Sequence, residues 1–261
     1  MPRRWEPQPD EMVGASILAT PDPDTWERVR RELADSGAAL LHARLAGWLP
    51  ERTDDDSLRA LLGRDWCRYL ELANGEMAVR IAATRALIRH AAANLADGDA
   101  DSLDLSYGPT GRPYLSGCGC VDISLSYIDQ LVLIGLTTRG LIGVDAERLD
   151  RDLYRTGQSR HMCTPYELIT LAEVAEEERN RSLVRLWTLK GAYGKAMGLG
   201  MHFRFIDIGF GPDGQAVRVQ RPDGTPASGD EWTFRSFVLD GEYLVGTAVY
   251  DASVDPTIQD L

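Results

Sequence analysis

From Glu76 to Leu95 the apolar residues Met77, Ile81, Leu87, Ile88 and Ala91, with Thr84 on the same stripe, recur at helical spacing, which predicts a long amphipathic helix ended near Gly98. Arg80, Arg85 and Arg89 fall among its polar positions. Downstream, strand signals separated by Gly-rich or polar turns dominate, and strands are predicted over Leu103 to Tyr107, Val121 to Leu125, Gln130 to Thr137 and Leu141 to Glu147, with Thr138-Arg139-Gly140 as the hairpin turn before the last. Thr164-Pro165-Tyr166-Glu167 places Thr at N-cap, Pro at N1 and Glu at N3, a capping box that opens a helix to about Val174. A longer helix is predicted from about Glu177 to Met197. Strands follow over Phe203 to Phe210, Ala216 to Gln220, Trp232 to Leu239 and Tyr243 to Tyr250, separated by turns such as Pro212-Asp213-Gly214 and Pro222-Asp223-Gly224. Near the start, Met12 to Leu18 reads as an opening strand and Asp22-Pro23-Asp24 caps a helix to about Leu33, while Ser36 to Pro50 shows no clear period. Helices together with antiparallel strands in each half make the fold class α+β.

Composition mostly removes possibilities. With 261 residues, 44% of them hydrophobic, the chain can bury a real core without staples. A net charge of −12 argues against a nucleic-acid partner, because phosphate backbones reward clustered Lys and Arg. The acidic runs Asp54-Asp55-Asp56 and Glu176-Glu177-Glu178 read as solvated faces or loops and carry no chemistry. Cys67, Cys118, Cys120 and Cys163 form no disulfide framework and no zinc-finger spacing, which fits free thiols in a reducing cytoplasm. No stretch approaches the ~20 apolar residues of a membrane helix, and no apolar segment follows the charged start, so a soluble, untargeted protein is expected.

Two stretches carry candidate chemistry. In Leu141-Ile142-Gly143-Val144-Asp145-Ala146-Glu147 the two carboxylates sit two positions apart, so on a strand they leave one face with α-carbons roughly 7 Å apart, a spacing of hard oxygen ligands that suits magnesium. In Trp187-Thr188-Leu189-Lys190-Gly191-Ala192-Tyr193-Gly194-Lys195, helical geometry puts Trp187, Gly191 and Lys195 on one stripe with Lys190 beside it. Read separately, the first is equally a polar strand end and the second an amphipathic helix whose terminal lysine favours the helix dipole.

Together, in this order, the two stretches resemble the 4'-phosphopantetheinyl transferase superfamily of the larger, Sfp-like type, with its Gly-hydrophobic-Asp-x-Glu strand and its Trp-x-x-Lys-Glu-Ala-x-x-Lys helix. Gly111-Arg112-Pro113-Tyr114-Leu115 resembles the family's Gly-Lys-Pro segment, and Val121-Asp122-Ile123-Ser124-Leu125-Ser126 its Phe-Asn-Ile-Ser-His-Ser segment. The resemblance runs from about Arg64 to Gly200. It implies two similar subdomains, each of helices on a small, mostly antiparallel sheet, with the ligand cleft between them. The divisions are an arm over residues 1–11, an N-terminal subdomain over 12–138 and a C-terminal one over 139–261. It also implies transfer of phosphopantetheine from coenzyme A to a serine of an acyl or peptidyl carrier protein; because the two halves of one chain would supply both walls of the cleft, a monomer is expected, in the cytoplasm that the free thiols indicate. Asp145 and Glu147 would hold Mg2+, Lys195 and Lys190 would face the diphosphate, and Arg80, Arg112 and Ser124 would line the nucleotide pocket. On the letters alone the arginines are equally surface charges, and Ser124 a strand serine bonded to its own backbone.

Two departures fall on functional positions: the family's Glu after the helix Lys is Gly191, and the His of Ser-His-Ser is Leu125. Three readings follow: a transferase weakened at these positions, a repurposed member acting on a biosynthetic intermediate, for example in a cyclisation without the metal, and a noncatalytic protein that binds carrier domains. At Gly191 the missing side chain is expected to leave an enlarged cleft or a water. Gly191→Glu would then supply a third carboxylate and raise transfer.

Overall fold

The computed structural model describes residues 16–72, 75–95, 104–116, 121–200, 203–211 and 214–255. In chain order the elements are β1 (Ile17–Leu18), α1 (Pro23–Ser36), β2 (Ala38–Arg44), α2 (Asp55–Leu62), α3 (Trp66–Glu71), α4 (Glu76–Leu95), β3 (Asp104–Tyr107), β4 (Pro113–Ser116), β5 (Asp122–Ile128), β6 (Leu131–Thr137), β7 (Gly140–Arg148), α5 (Ser159–Met162), α6 (Pro165–Glu173), α7 (Glu176–Ala196), β8 (Gly209–Phe210), β9 (Ala216–Arg218), β10 (Trp232–Leu239) and β11 (Tyr243–Asp251). The fold is α+β, built on a four-stranded sheet in the order β1-β2-β6-β5 and a three-stranded sheet in the order β10-β11-β7. Every pair in them is antiparallel except β1 with β2.

Local chemistry explains most of the helix starts. Asp22 accepts from the Asp24 amide at the head of α1, and Pro23 follows at a position that needs no amide proton. At α6 the capping box closes both ways: the Glu167 amide donates to Thr164 Oγ1 at 3.2 Å and the Thr164 amide to Glu167 Oε2 at 2.7 Å. Both acidic runs prove to be helix starts, where negative charge is favoured by the helix dipole: Asp54 caps α2, and Glu176 to Glu178 form the first turn of α7. The Ser57 amide and hydroxyl both donate to Asp54 and hold its carboxyl below the usual aspartate range.

Three large apolar clusters build most of the core, beside a small one at Leu58, Leu62 and Ala82. One joins Trp26 and Val29 of α1 and Leu87 and Ile88 of α4 to the first sheet. A second joins Leu183, Val184, Leu186 and Leu189 of α7 to Phe210, Trp232 and Phe234. The third lies between the sheets, where Leu131 and Leu133 meet Ile142, Val144, Phe237 and Val245. The sheets also meet edge to edge. β5 and β7 are both edge strands, and alternate side chains of β5 bond the open backbone of β7: the Ile142 amide donates to Asp122 Oδ2 at 2.8 Å and the Val144 amide to Ser124 Oγ at 3.1 Å. Side chains thus stand in for a missing ladder.

Several sequence expectations change. On α4, Met77 is exposed and Arg85 is buried, because Arg85 Nε donates to Asp65 Oδ2 at 2.8 Å and the buried pair replaces an apolar position on the stripe. Ser36 to Pro50, without a period, holds β2 and a 3-10 turn at Leu45–Trp48; β2 is buried on both faces for most of its length, which erases the alternation. Phe203 to Phe210 is not one strand: a 3-10 turn takes Phe205–Asp207 and only Gly209–Phe210 pairs. Pairing in the next strand stops at Arg218, with Gln220 making an isolated bridge to Pro226. Residues 1–15, the proposed end of α4 at Gly98, and Cys118 and Cys120 lie outside the described residues.

Candidate active site

The site forms where α7 presses onto β7. A β-carbon built on Gly143 would lie 1.8 Å from the Ala192 carbonyl oxygen, and one on Gly246 would lie 2.6 Å from the Thr188 carbonyl, so the helix rests on glycine backbone at both strands. The same closeness governs Gly191. Its missing β-carbon would sit 2.2 Å from Asp145 Oδ2 and 2.8 Å from Asp145 Cγ. Contrary to the sequence expectation, position 191 is therefore no vacated volume, because the Asp145 carboxylate already fills it. A glutamate there would have to displace Asp145 before adding anything to it.

Asp145 is held from two sides. Lys195 Nζ donates to Asp145 Oδ1 at 2.7 Å and to Ser126 Oγ at 2.9 Å, and Ser126 Oγ lies 3.3 Å from the same Oδ1. Helix and strand motifs thus meet at one ion pair, with the lysine side chain 36% and the carboxylate 15% exposed. Glu147 accepts from the Arg148 amide at 3.0 Å and from Arg151 Nη1. The Arg151 guanidinium stacks on the Trp187 ring at 4.3 Å, whose other neighbour is Phe205 at 4.7 Å between centroids.

Beside the ion pair opens a cavity of about 290 Å³. One wall is the 110–113 turn with Ser124 and Leu125; the other is Gly191, Gly194, Lys195 and Gly198 of the helix end, with Phe203 and Phe205. Arg112, Ser124, Leu125, Gly191 and Lys195 of the motifs are brought together here. Arg112 also braces the wall, pairing both Nη atoms with Asp122 at 2.8 and 2.6 Å while Nε donates to the Lys195 and Ala196 carbonyls at 3.1 Å each.

Two candidates lie elsewhere. Lys190 is fully buried, and Nζ donates to Glu167 Oε2 at 2.6 Å, Met162 O at 2.7 Å and Phe205 O at 3.0 Å. Its three protons are all placed in the core, so the structure corrects the expectation that it faces a diphosphate. Burial draws its ammonium below the ordinary lysine value, against the opposing pull of Glu167. Arg80 stacks over Tyr127 at 5.4 Å and reaches the Asp129 carbonyl at 3.5 Å, at the β5–β6 turn and outside the cavity lining. Sequence reasoning missed Ser126, Arg151 and Phe205. Only Ser126 carried a signal, its two-residue spacing from Ser124.

Among the described residues no three His, Cys, Asp or Glu side chains converge as a metal-binding group. Asp145 and Glu147 are the kind of ligand a hard divalent cation takes beside water and substrate: the described hydrogen bonds of Asp145 engage only Oδ1, whereas both Glu147 oxygens already accept, from the Arg148 amide and from Arg151.

Residues 141–248, the stretch that carries both motifs, match the family model of the 4'-phosphopantetheinyl transferase superfamily. The chain is similar to that superfamily over this stretch, which is less than half of its length. A phosphopantetheinyl transferase of Thraustochytrium sp. is 27% identical over 230 residues, 81% of this chain and 78% of that protein. A 4'-phosphopantetheinyl transferase of Paxillus involutus is 38% identical over 96 residues, 36% of this chain and 35% of its own length. A Synechocystis relative is 31% identical over 106 residues, 38% of this chain and 41% of its own. In two of these three relatives the match thus spans less than half of the protein. That similarity agrees with the α+β fold and with the Asp145–Lys195 ion pair, of which Lys195 lines the cavity while Asp145 and Glu147 are not among its lining residues. No described helix is long and apolar enough to cross a membrane.

Proposed function

We propose that this protein is an Sfp-like phosphopantetheinyl transferase that moves phosphopantetheine from coenzyme A to a serine of an acyl or peptidyl carrier protein, in fatty acid, polyketide or nonribosomal peptide assembly. The observation that carries this reading is the Lys195–Asp145 pair, which brings the helix and strand motifs to the rim of one cavity. The halves 12–138 and 139–261 supply one wall each, which supports a working monomer, and we place it in the cytoplasm.

Coenzyme A lies in the cavity, against Ser124, Leu125 and the turn that Arg112 braces. The serine oxygen bonds to the phosphorus that bears pantetheine as the bond from that phosphorus to the adenosine phosphate breaks, releasing adenosine 3',5'-bisphosphate. Lys195, partly exposed and held by a carboxylate and a hydroxyl, is placed to share its charge with the diphosphate. Asp145 and Glu147 would hold magnesium, which when bound neutralises phosphate oxygens. No carboxylate stands at 191 to receive the serine proton, which passes to solvent as the bond to phosphorus forms, so the reaction rests on positioning and charge; a loose phosphoryl-transfer transition state asks for little more.

The test is coenzyme A binding by calorimetry with and without magnesium, beside mass spectrometry of a carrier protein. Magnesium should tighten binding, Asp145→Ala and Glu147→Ala should each abolish that dependence, and the carrier should gain the phosphopantetheine mass. A protein that binds coenzyme A but modifies no carrier favours the repurposed or binding-only reading.

A further inference from the structure

The two carboxylates that would hold the metal are not in the same condition. Asp145 gives only Oδ1 to its described partners, Lys195 and Ser126. Glu147 has both oxygens engaged, Oε1 by the Arg148 amide at 3.0 Å and Oε2 by Arg151 Nη1. Its side chain is 13% exposed, so a charge beside it is only weakly screened by water. The Arg148 guanidinium is turned away, held by Asp150 at 2.9 Å and by Asp129 at 3.1 Å. The guanidinium that answers Glu147 comes from Arg151, one helical turn further on.

Arg151 has a built seat. Its guanidinium lies over the Trp187 ring at 4.3 Å, that ring stacks on Phe205 at 4.7 Å, and the Phe205 carbonyl accepts from the buried Lys190 at 3.0 Å. A chain of contacts reaching into the core thus holds a cation against Glu147. A divalent cation taking Glu147 as a ligand would share one carboxylate with that guanidinium, and like charges so close repel strongly where water is scarce.

Resting on the transferase reading and its metal assignment, we propose that Arg151 is the resident counter-ion of Glu147, that magnesium has to displace it, and that this exchange sets the magnesium concentration at which the site loads. No covalent bond changes. Glu147 trades one cation for another, and the guanidinium swings off Oε2 toward solvent, to which its side chain is already 38% open. The opposite role, a brace that orients Glu147 for the metal, would give the opposite sign on removal of the arginine.

Isothermal titration of the full chain with coenzyme A at a series of magnesium concentrations gives the half-point for magnesium. Arg151→Gln should lower that half-point about fivefold, the weight of a partly exposed ion pair, while Arg151→Lys, which keeps the charge, should stay within about twofold of the parent. A half-point that is unchanged or raised in Arg151→Gln overturns the inference. So does a lysine variant that shifts as far as the glutamine one, because charge would then not be the competitor. Arg151→Met removes the charge while still packing on Trp187, and it carries the same expectation if the glutamine variant does not melt like the parent. Parent binding of coenzyme A with no dependence on magnesium overturns this inference and the metal assignment but leaves the donor in place, whereas no binding of coenzyme A at all takes the transferase reading with it.

Discussion

Helix α7 carries two lysines five residues apart, each paired with a carboxylate at nearly the same distance, and the two pairs have opposite characters. Lys190 meets Glu167 at 2.6 Å with both side chains essentially excluded from water, while Lys195 meets Asp145 at 2.7 Å with 36% of its side chain open. At 3.6 residues per turn the two positions lie roughly 140° apart, so one lysine points into the core and the other over the cavity. Identical chemistry becomes a pin in one place and a movable charge in the other. Glu167 shows what the pin secures: its carboxylate also accepts the Thr164 amide and, at 2.9 Å, the Phe210 amide, tying α6, α7 and the 203–210 segment together.

The sharpest way to break this contrast is to remove each lysine in turn. Lys190→Ala strands a buried carboxylate and should cost about 3–5 kcal/mol of stability by chemical denaturation. Lys195→Ala should change stability by less than about 1 kcal/mol, because a partly solvated pair contributes little, yet reduce carrier modification by roughly 10²- to 10³-fold. Equal stability losses would mean that the two pairs do not differ in kind.

Gly191→Ala tests whether Asp145 has room to move. Helix propensity alone would gain about 1 kcal/mol, but the added carbon meets Asp145, and overpacking costs typically about 1–3 kcal/mol. A net loss in thermal stability with weaker magnesium-dependent coenzyme A binding is expected, and Gly191→Glu should lower transfer rather than raise it. A stabilised, fully binding alanine variant would show that the carboxylate yields freely.

The smallest effect serves as a control away from α7. Burial depresses the His42 pKa below its ordinary 6.5, so the folded protein prefers the neutral ring. Below about pH 6.5 the unfolded chain takes up the proton first, and stability falls as the pH drops further toward the depressed native value. His42→Gln should flatten that acid limb in pH-dependent melts, while the lysine variants should leave its slope unchanged.

Much of this was legible in the letters where one local rule decides. The capping box at Thr164, the start of α4 at Glu76 and the shared face of Asp145 and Glu147 each follow from spacing alone. The destination of Lys190 was not, because helical phase says which residues share a stripe and not what the stripe meets. Gly191 failed for a related reason: a missing side chain reads as space, and only the distance from α7 to β7 shows that Asp145 fills it. Arg85 broke the apolar stripe because its partner, Asp65, lies twenty positions away in a segment without a strong period.

The join between β5 and β7 gives the molecule its own reporter. Amide protons held in a backbone ladder exchange with solvent when strands separate, whereas those of Ile142 and Val144 are held by the Asp122 carboxylate and the Ser124 hydroxyl. Their exchange measures the opening of this seam, just ahead of Asp145 on the same strand, independently of whether either sheet unfolds. Ligand that closes the two walls together should slow these two amides before it slows any other in β7.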